Sequence, residues 1–272
     1  MKPATNIVLL AVTAFPVCIL MHEITHLLFG LVFGTKIVDF CFWAVTSVSL
    51  PIAWQKAVMQ GSAAIANILC GFAAASIFMR TSEWTLKTFL YYVVAFSWFV
   101  GFGYLLSDPI FANENSNGDW AKVIMFLGGS WSVRLPILLL GAIGYGWAIY
   151  WLALHSRDIA TSSNERVVNK IAVMLVAPYF VVNVLFTAIS FWHPVPELRL
   201  KVALLGCWLG NFGLFAAAVG VYFQWRSLRT VNCDNAISVP NIISWKAIVF
   251  AGLMYAVAAF FAYPKTLNLE LW

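Results

Sequence analysis

Charged residues are scarce in this sequence. Asp, Glu, Lys and Arg together make up 10% of its 272 residues, while 62% are hydrophobic and the mean hydropathy is +0.86. A soluble domain carries roughly 25% charged residues, so the composition excludes an ordinary soluble protein. The 16 Lys and Arg residues are spread through short polar segments and form no basic cluster. The sequence therefore predicts a protein of the lipid bilayer with no nucleic-acid partner.

Cysteine pairs are also missing. The five cysteines stand singly, and no two of them are spaced as C-x-x-C. This spacing does not indicate a disulfide framework or a thiolate metal site, and we expect small buried apolar side chains. The cysteines are Cys18, Cys41, Cys70, Cys207 and Cys233.

Long apolar runs dominate the chain instead. Each has about the 20 residues that an α-helix needs to cross a bilayer. They predict an all-α, polytopic integral membrane protein with about seven transmembrane helices, and six to eight as the limits. No repeat or linker interrupts the chain, so residues 1–272 are predicted to form a single membrane domain. The predicted spans are 6–34, 57–79, 86–106, 132–154, 169–191, 202–225 and 245–263.

The segment between the first two spans is too irregular to cross a membrane. Residues 36–56 read KIVDFCFWAVTSVSLPIAWQK and include Pro51. Its Val, Phe, Trp and Thr residues favour strands. We expect either a β-hairpin or a re-entrant segment at the membrane surface.

A polar segment follows the third predicted span. Residues 107–123 read SDPIFANENSNGDWAKV and gather Asp108, Glu114 and Asp119 in a chain with few acidic residues. The Gly-Asp step predicts the start of a short helix with Asp119 in its first turn. A Gly-Gly pair ends this helix too early for it to span. Residues 107–130 are therefore predicted to form a polar re-entrant or amphipathic segment.

Ionisable residues also lie inside the first span, at MHEITHLLFG (residues 21–30). Such groups are costly in a bilayer and are functional candidates by default. His22 and His26 are four residues apart, so they share one helix face and can reach the same cation. Glu23 points about 100° away from His22, which suits a general base. His-Glu-x-x-His on a helix is the zinc-metalloprotease pattern.

The two histidines need a third ligand. A catalytic zinc ion takes three protein ligands and leaves a fourth position for water. Counting spans places residues 107–123 on the membrane side toward which His22 and His26 lie. We therefore expect Asp119 to complete a site for one zinc ion per chain, with Asp108 and Glu114 as the alternative third ligands.

Two kinds of function fit this constellation. A zinc metallopeptidase would hydrolyse a peptide bond of a membrane-protein substrate, with Glu23 as the base. The alternative is a non-proteolytic membrane protein, either a transporter with a proton relay or an inactive protease-like scaffold. The retained Glu23 favours the hydrolase, because a remnant need not keep a costly acid in the bilayer.

Three elements of the sequence resemble the site-2 protease family of intramembrane zinc metalloproteases. They are HEITH in the first long span, GSAAIAN at 61–67, and the later Gly-Asp-Trp at 118–120. The spacing is most similar to the compact bacterial, M50B-like members, and the resemblance covers about residues 15–125. Ser62 stands where the family commonly has Pro, and Trp120 where it has Gly.

The resemblance implies a role for five residues. His22, His26 and Asp119 would bind zinc, Glu23 would be the base, and Asn67 would position the substrate or donate to an oxyanion. It also implies a catalytic core at 6–131, additional helices at 132–272 and a place in the bacterial cytoplasmic membrane.

Two asparagines lie inside later predicted spans. Asn211 stands between two glycines in GNFG, where helices can approach closely, and Asn183 lies within the preceding span. We expect both to form hydrogen bonds between helices.

Overall fold

The computed structural model of the chain is predominantly helical. It describes residues 2–41, 44–47, 52–113, 116, 118–159, 167–192, 204, 208–227, 245–262 and 265–269. Among these residues, five helical segments are long and apolar enough to cross a membrane, which is typical of a multi-pass membrane protein. They are Ala4–Val32, Ala53–Arg80, Trp84–Phe111, Trp131–Ile159 and Asn169–Ser190.

These five segments match the first five predicted spans. The sixth and seventh predicted spans correspond to two further helices, whose apolar parts, Phe212–Phe223 and Ile248–Phe260, are shorter within the described residues. The helical membrane architecture is thus confirmed, and a count of seven spans stays a prediction.

The elements follow one another in a simple order. Helix α5 continues into a 3-10 turn at Ser156–Ile159, and a π-helical turn at Ala172–Val176 joins α6 to α7. The elements are α1 Lys2–Val32, β1 Ile37–Cys41, β2 Ala44–Ser47, α2 Ala53–Arg80, α3 Trp84–Phe111, α4 Asp119–Phe126, α5 Trp131–His155, α6 Val167–Ile171, α7 Ala177–Ser190, α8 Phe212–Ser227, α9 Trp245–Ala262 and β3 Lys265–Leu269.

A small antiparallel sheet connects α1 to α2. Strands β1 and β2 pair as a hairpin, which confirms the hairpin of the two structures expected for this segment. Residues 42, 43 and 48–51, including Pro51, lie outside the described residues. Strand β3 pairs with the other edge of β1, so the order is β2-β1-β3. Ile37 is fully buried, and a Cβ on Gly30 would lie 2.8 Å from its side chain, so Gly30 lets the hairpin pack closely on α1.

Helix α3 forms the centre of the fold. Its bulky aromatic side chains, such as Trp98, Tyr91 and Phe96, have no exposed surface. Helix α5 packs closely on α3 at Gly141, where a Cβ would lie 2.4 Å from the backbone nitrogen of Leu106. Small residues permit this kind of close approach between membrane helices.

Two polar contacts outside the candidate site support this arrangement. Glu83 precedes α3, and its carboxylate accepts hydrogen bonds from the backbone amides of Thr85 and Leu86, as a helix cap does. The Asn211 amide, just before α8, donates to Asn183 Oδ1 of α7 at 3.0 Å, so both asparagines form a hydrogen bond between these segments, as predicted.

Candidate metal centre

Two histidines of α1 and one aspartate of α4 come together inside the protein. His22 Nε2 lies 2.9 Å from Asp119 Oδ2, and His26 Nε2 lies 3.2 Å from the same oxygen. All three residues are buried. Their ligand atoms lie within 4.8 Å of one another, and they form the only such group of three among the described residues. The structure thus brings together the three residues expected to bind zinc.

Asp119 owes its position to Asp108, another acidic residue of the same segment. Asp108, near the end of α3, accepts hydrogen bonds on Oδ2 from the backbone amides of Trp120 and Ala121, at 2.8 and 3.2 Å. A Cβ on Gly118 would lie only 2.6 Å from Asp108 Oδ1, so a glycine is needed at this position. Asp108 therefore holds the first turn of α4 and does not belong to the three-residue group. This arrangement disfavours Asp108 as the third ligand.

The remaining alternative ligand, Glu114, lies outside the described residues. The predicted short helix is confirmed, since α4 begins at Asp119 and is followed by Gly128 and Gly129, both with positive φ. Glycine adopts this backbone conformation without strain, so the pair is suited to ending the helix.

The electrostatic surroundings keep the Asp119 carboxylate ionised. Burial alone would raise the pKa of Asp119, but the imidazoles of His26 and His22 beside it hold its pKa well below its usual range. An ionised carboxylate can accept hydrogen bonds from imidazole N–H groups, and it is also the form that binds a cation.

A hydrogen bond to α2 fixes which His26 nitrogen faces Asp119. His26 Nδ1 lies 2.9 Å from the carbonyl oxygen of Met59, which can only accept, so Nδ1 carries a hydrogen. In a neutral imidazole, Nε2 then has a lone pair that faces the Asp119 oxygen at 3.2 Å. Two lone pairs repel each other, so this geometry requires either an imidazolium or a cation between the two atoms. Histidine nitrogens and a carboxylate oxygen are zinc donors, so the residues present fit a zinc ion.

Glu23 follows the first histidine and is enclosed as fully as the ligands. Its side chain is 5% exposed, and Oε2 has no hydrogen-bond partner within the described part of the chain. An unpartnered polar atom in the protein interior costs free energy, so such an atom needs an explanation. A base that receives its proton only during a reaction is one explanation.

Asn67 of α2 contacts His22 at Nδ1, the ring nitrogen that does not face Asp119. It has no exposed surface, and its Nδ2 is 3.2 Å from His22 Nδ1. Its Oδ1 has no hydrogen-bond partner among the residues described. The resemblance assigned Asn67 to the substrate, whereas its contact in the structure is with a candidate ligand.

Tyr104 of α3 is a further component of the site that the sequence analysis missed. Its ring stacks on the His22 imidazole, with ring centroids 5.2 Å apart and planes at 15°. Tyr104 precedes Asp108 by four residues, so both lie on one face of α3. That spacing is the sequence signal that identifies Tyr104 once Asp108 is recognised as part of the site.

An apolar groove of about 500 Å³ lies between α1, α2 and α4, and its lining includes chain neighbours of the candidate ligands but not the ligands themselves. Thr25, which precedes His26, and Trp120, which follows Asp119, both line it. The indole N–H of Trp120 is buried and has no acceptor in the described part of the chain. Other lining residues are Phe29, Trp54, Ile65 and Ala66.

Comparisons with known proteins identify no relative of this chain. No protein-family model matches the chain, and neither the curated proteins nor the solved structures contain a match. The resemblance to the site-2 protease family therefore rests on the three sequence elements alone.

Proposed function

We propose that this protein is an intramembrane zinc metalloprotease that hydrolyses a peptide bond of a membrane-protein substrate. The observation that carries the proposal is the buried carboxylate of Glu23, whose Oε2 has no hydrogen-bond partner among the described residues. It lies on the helix that also carries His22 and His26, both in contact with Asp119. This is the combination that the His-Glu-x-x-His chemistry requires: a three-ligand set and a base. The resemblance to the site-2 protease family supports the same function.

His22, His26 and Asp119 would hold the ion. When bound, zinc acts as a Lewis acid that polarises a carbonyl and lowers the pKa of water to about 7. Three protein ligands are the number that catalytic zinc sites use, with water as the fourth ligand.

Glu23 would move the proton. It accepts a proton from the attacking water while the water oxygen forms a bond to the carbonyl carbon. It then gives this proton to the amide nitrogen as the carbon–nitrogen bond breaks. The Glu23 carboxylate that starts the reaction is thereby regenerated, and the products are a carboxylic acid, which keeps the second hydrogen of the water, and an amine. General acid–base catalysis of this kind typically contributes about 10²–10⁴-fold to the rate.

The apolar groove suggests how a substrate would reach these residues. It lies beside Thr25 and Trp120, the chain neighbours of His26 and Asp119, and it is lined almost entirely by apolar side chains. We assign it to apolar side chains of the substrate next to the cleaved bond. The substrate would have to be unwound there, because the amide of an intact helix is hidden within its own hydrogen bonds.

The decisive experiment compares metal content and cleavage in purified full-length protein. Glu23→Gln should bind zinc as the wild type does but cleave a model membrane substrate about 10²–10⁴-fold more slowly. Glu83→Gln is the matched control, because it makes the same chemical change at an exposed helix cap. Equal cleavage by Glu23→Gln and wild type would disprove the protease function.

A proton relay is the second candidate function. It is favoured by one observation: His22 and His26 already contact Asp119 directly, as an ion-pair network does. A protein that remains free of zinc when purified with zinc present, and that moves protons across liposome membranes, would support the relay and contradict the protease.

A further inference from the structure

Helix α2 contacts both candidate histidine ligands at their Nδ1 atoms. The Met59 carbonyl oxygen meets His26 Nδ1, and the Asn67 side-chain amide meets His22 Nδ1. In metal sites, the second ring nitrogen of a ligating histidine usually donates to an oxygen, which fixes the orientation of the ring. Met59 supplies such an oxygen to His26. The corresponding group for His22 is Asn67.

The Asn67 amide lies 3.2 Å from His22 Nδ1 through its nitrogen, and its oxygen is buried without a partner among the described residues. The two ends of an amide are nearly equal in size, so Nδ2 and Oδ1 fit equally well beside the ring. A cation at His22 Nε2 requires that nitrogen to be free of hydrogen, so that Nδ1 carries the hydrogen instead. Oδ1 is the end of the Asn67 amide that can accept it.

We propose that Asn67 is a positioning residue for His22, and that its Oδ1 accepts a hydrogen bond from Nδ1–H when a metal ion is held at Nε2. This hydrogen bond fixes the orientation of the ring and leaves the Nε2 lone pair for the ion, while the imidazole stays neutral. Asn67 therefore acts on the ligand and not on the substrate.

This inference rests on the metal site of the proposed function, and zinc affinity tests it without any cleavage assay. Affinity is measured on purified full-length protein by competition with a zinc chelator. Asn67→Leu, which removes the acceptor, should weaken zinc binding by about 10–100-fold, the usual effect of losing such a contact. Asn67→Asp, whose carboxylate accepts from Nδ1–H, should restore most of the affinity. Asn183→Leu is the matched control, since Asn183 is equally buried in α7, and it should leave zinc affinity unchanged.

A second measurement keeps the inference testable if Asn67→Leu folds poorly. Nitrogen-15 NMR of histidine-labelled, zinc-loaded wild-type protein should show the His22 hydrogen on Nδ1. A hydrogen on Nε2 in the zinc-loaded protein would place the ion at Nδ1, the nitrogen beside Asn67, and would overturn the proposal. If Asn67→Leu binds zinc as tightly as the wild type but cleaves substrate more slowly, the proposal is also overturned. Asn67 would then be assigned to substrate binding.

The possible failures are distinguishable. If zinc affinity follows the pattern above but no substrate is cleaved, the inference stands and the protease function falls. If the wild type binds zinc and Asn67→Leu binds it equally well, only the inference falls. If the wild type binds no zinc, both fall.

Discussion

The carboxylate of Asp108 supports the turn of backbone that carries Asp119. It accepts hydrogen bonds from the two backbone amides that follow Asp119, those of Trp120 and Ala121. Asp119 and Asp108 thus have different tasks, because Asp119 contacts the histidines and Asp108 holds the start of the helix that presents Asp119.

Variants of these two residues should differ in zinc affinity. Asp119→Ala removes a ligand and should weaken zinc binding by more than about 100-fold, beyond the usual effect of an outer contact. Asp108→Ala should weaken it by about 10-fold, because Asp119 remains but α4 loses a cap worth about 1 kcal/mol. Asp108→Asn should recover most of this loss, since its amide oxygen can accept the same two N–H groups. Zinc–chelator competition measures all three, and near-complete zinc loss in Asp108→Ala with retention in Asp119→Ala would make Asp108 the third ligand.

Two substitutions of Tyr104 distinguish the contribution of its ring to zinc affinity from that of its hydroxyl. Tyr104→Phe keeps the ring that stacks on His22 and should bind zinc as the wild type does. Tyr104→Leu removes the stack, so His22 gains freedom and zinc affinity should fall several-fold, since aromatic pairs contribute about 0.5–1.5 kcal/mol. Titration with zinc gives both values. Reduced affinity in Tyr104→Phe would instead assign the effect to the hydroxyl.

A bulky side chain in the apolar groove should weaken substrate binding and leave zinc binding unchanged. Ala66→Phe places a ring among the lining residues and should raise KM for a model membrane substrate several-fold, with zinc content unchanged. Ala73→Phe makes the same change two turns farther along α2, at an exposed position outside the groove lining. We expect KM of this control to equal that of the wild type. A groove filled only by lipid would leave KM unchanged in both variants.

The two histidines, Glu23 and the start of α4 are predictable from local patterns. The spacing of His22 and His26 depends only on helix periodicity, and Asp119 follows a Gly that begins a helix. The first five spans are equally local, because long apolar runs identify them without knowledge of their neighbours.

Apart from the meeting of Asp119 with the two histidines, the sequence analysis did not predict which distant segments contact each other. Asn67 contacts His22 because of the way α2 packs on α1, and no local sequence pattern predicts this contact. Tyr104 also reaches His22 through packing alone. The pairing of β3 with β1 joins segments more than two hundred residues apart. A hydrophobic pattern predicts which face of an element is buried but not which partner covers it.

The central position of α3 restricts how a substrate can enter the site. Helices α1, α2 and α5 all pack against α3, so separating any of them from it would expose large aromatic side chains. Helix α4 has only eight residues, and its Ala121 and Ile124 form a small buried cluster with Ala112, which follows α3. A movement of α4 would therefore expose less buried apolar surface than separation of α1, α2 or α5 from α3. Because α4 carries Asp119, the same movement would pull one ligand away from the other two, so an ion held by all three would also keep this entrance closed.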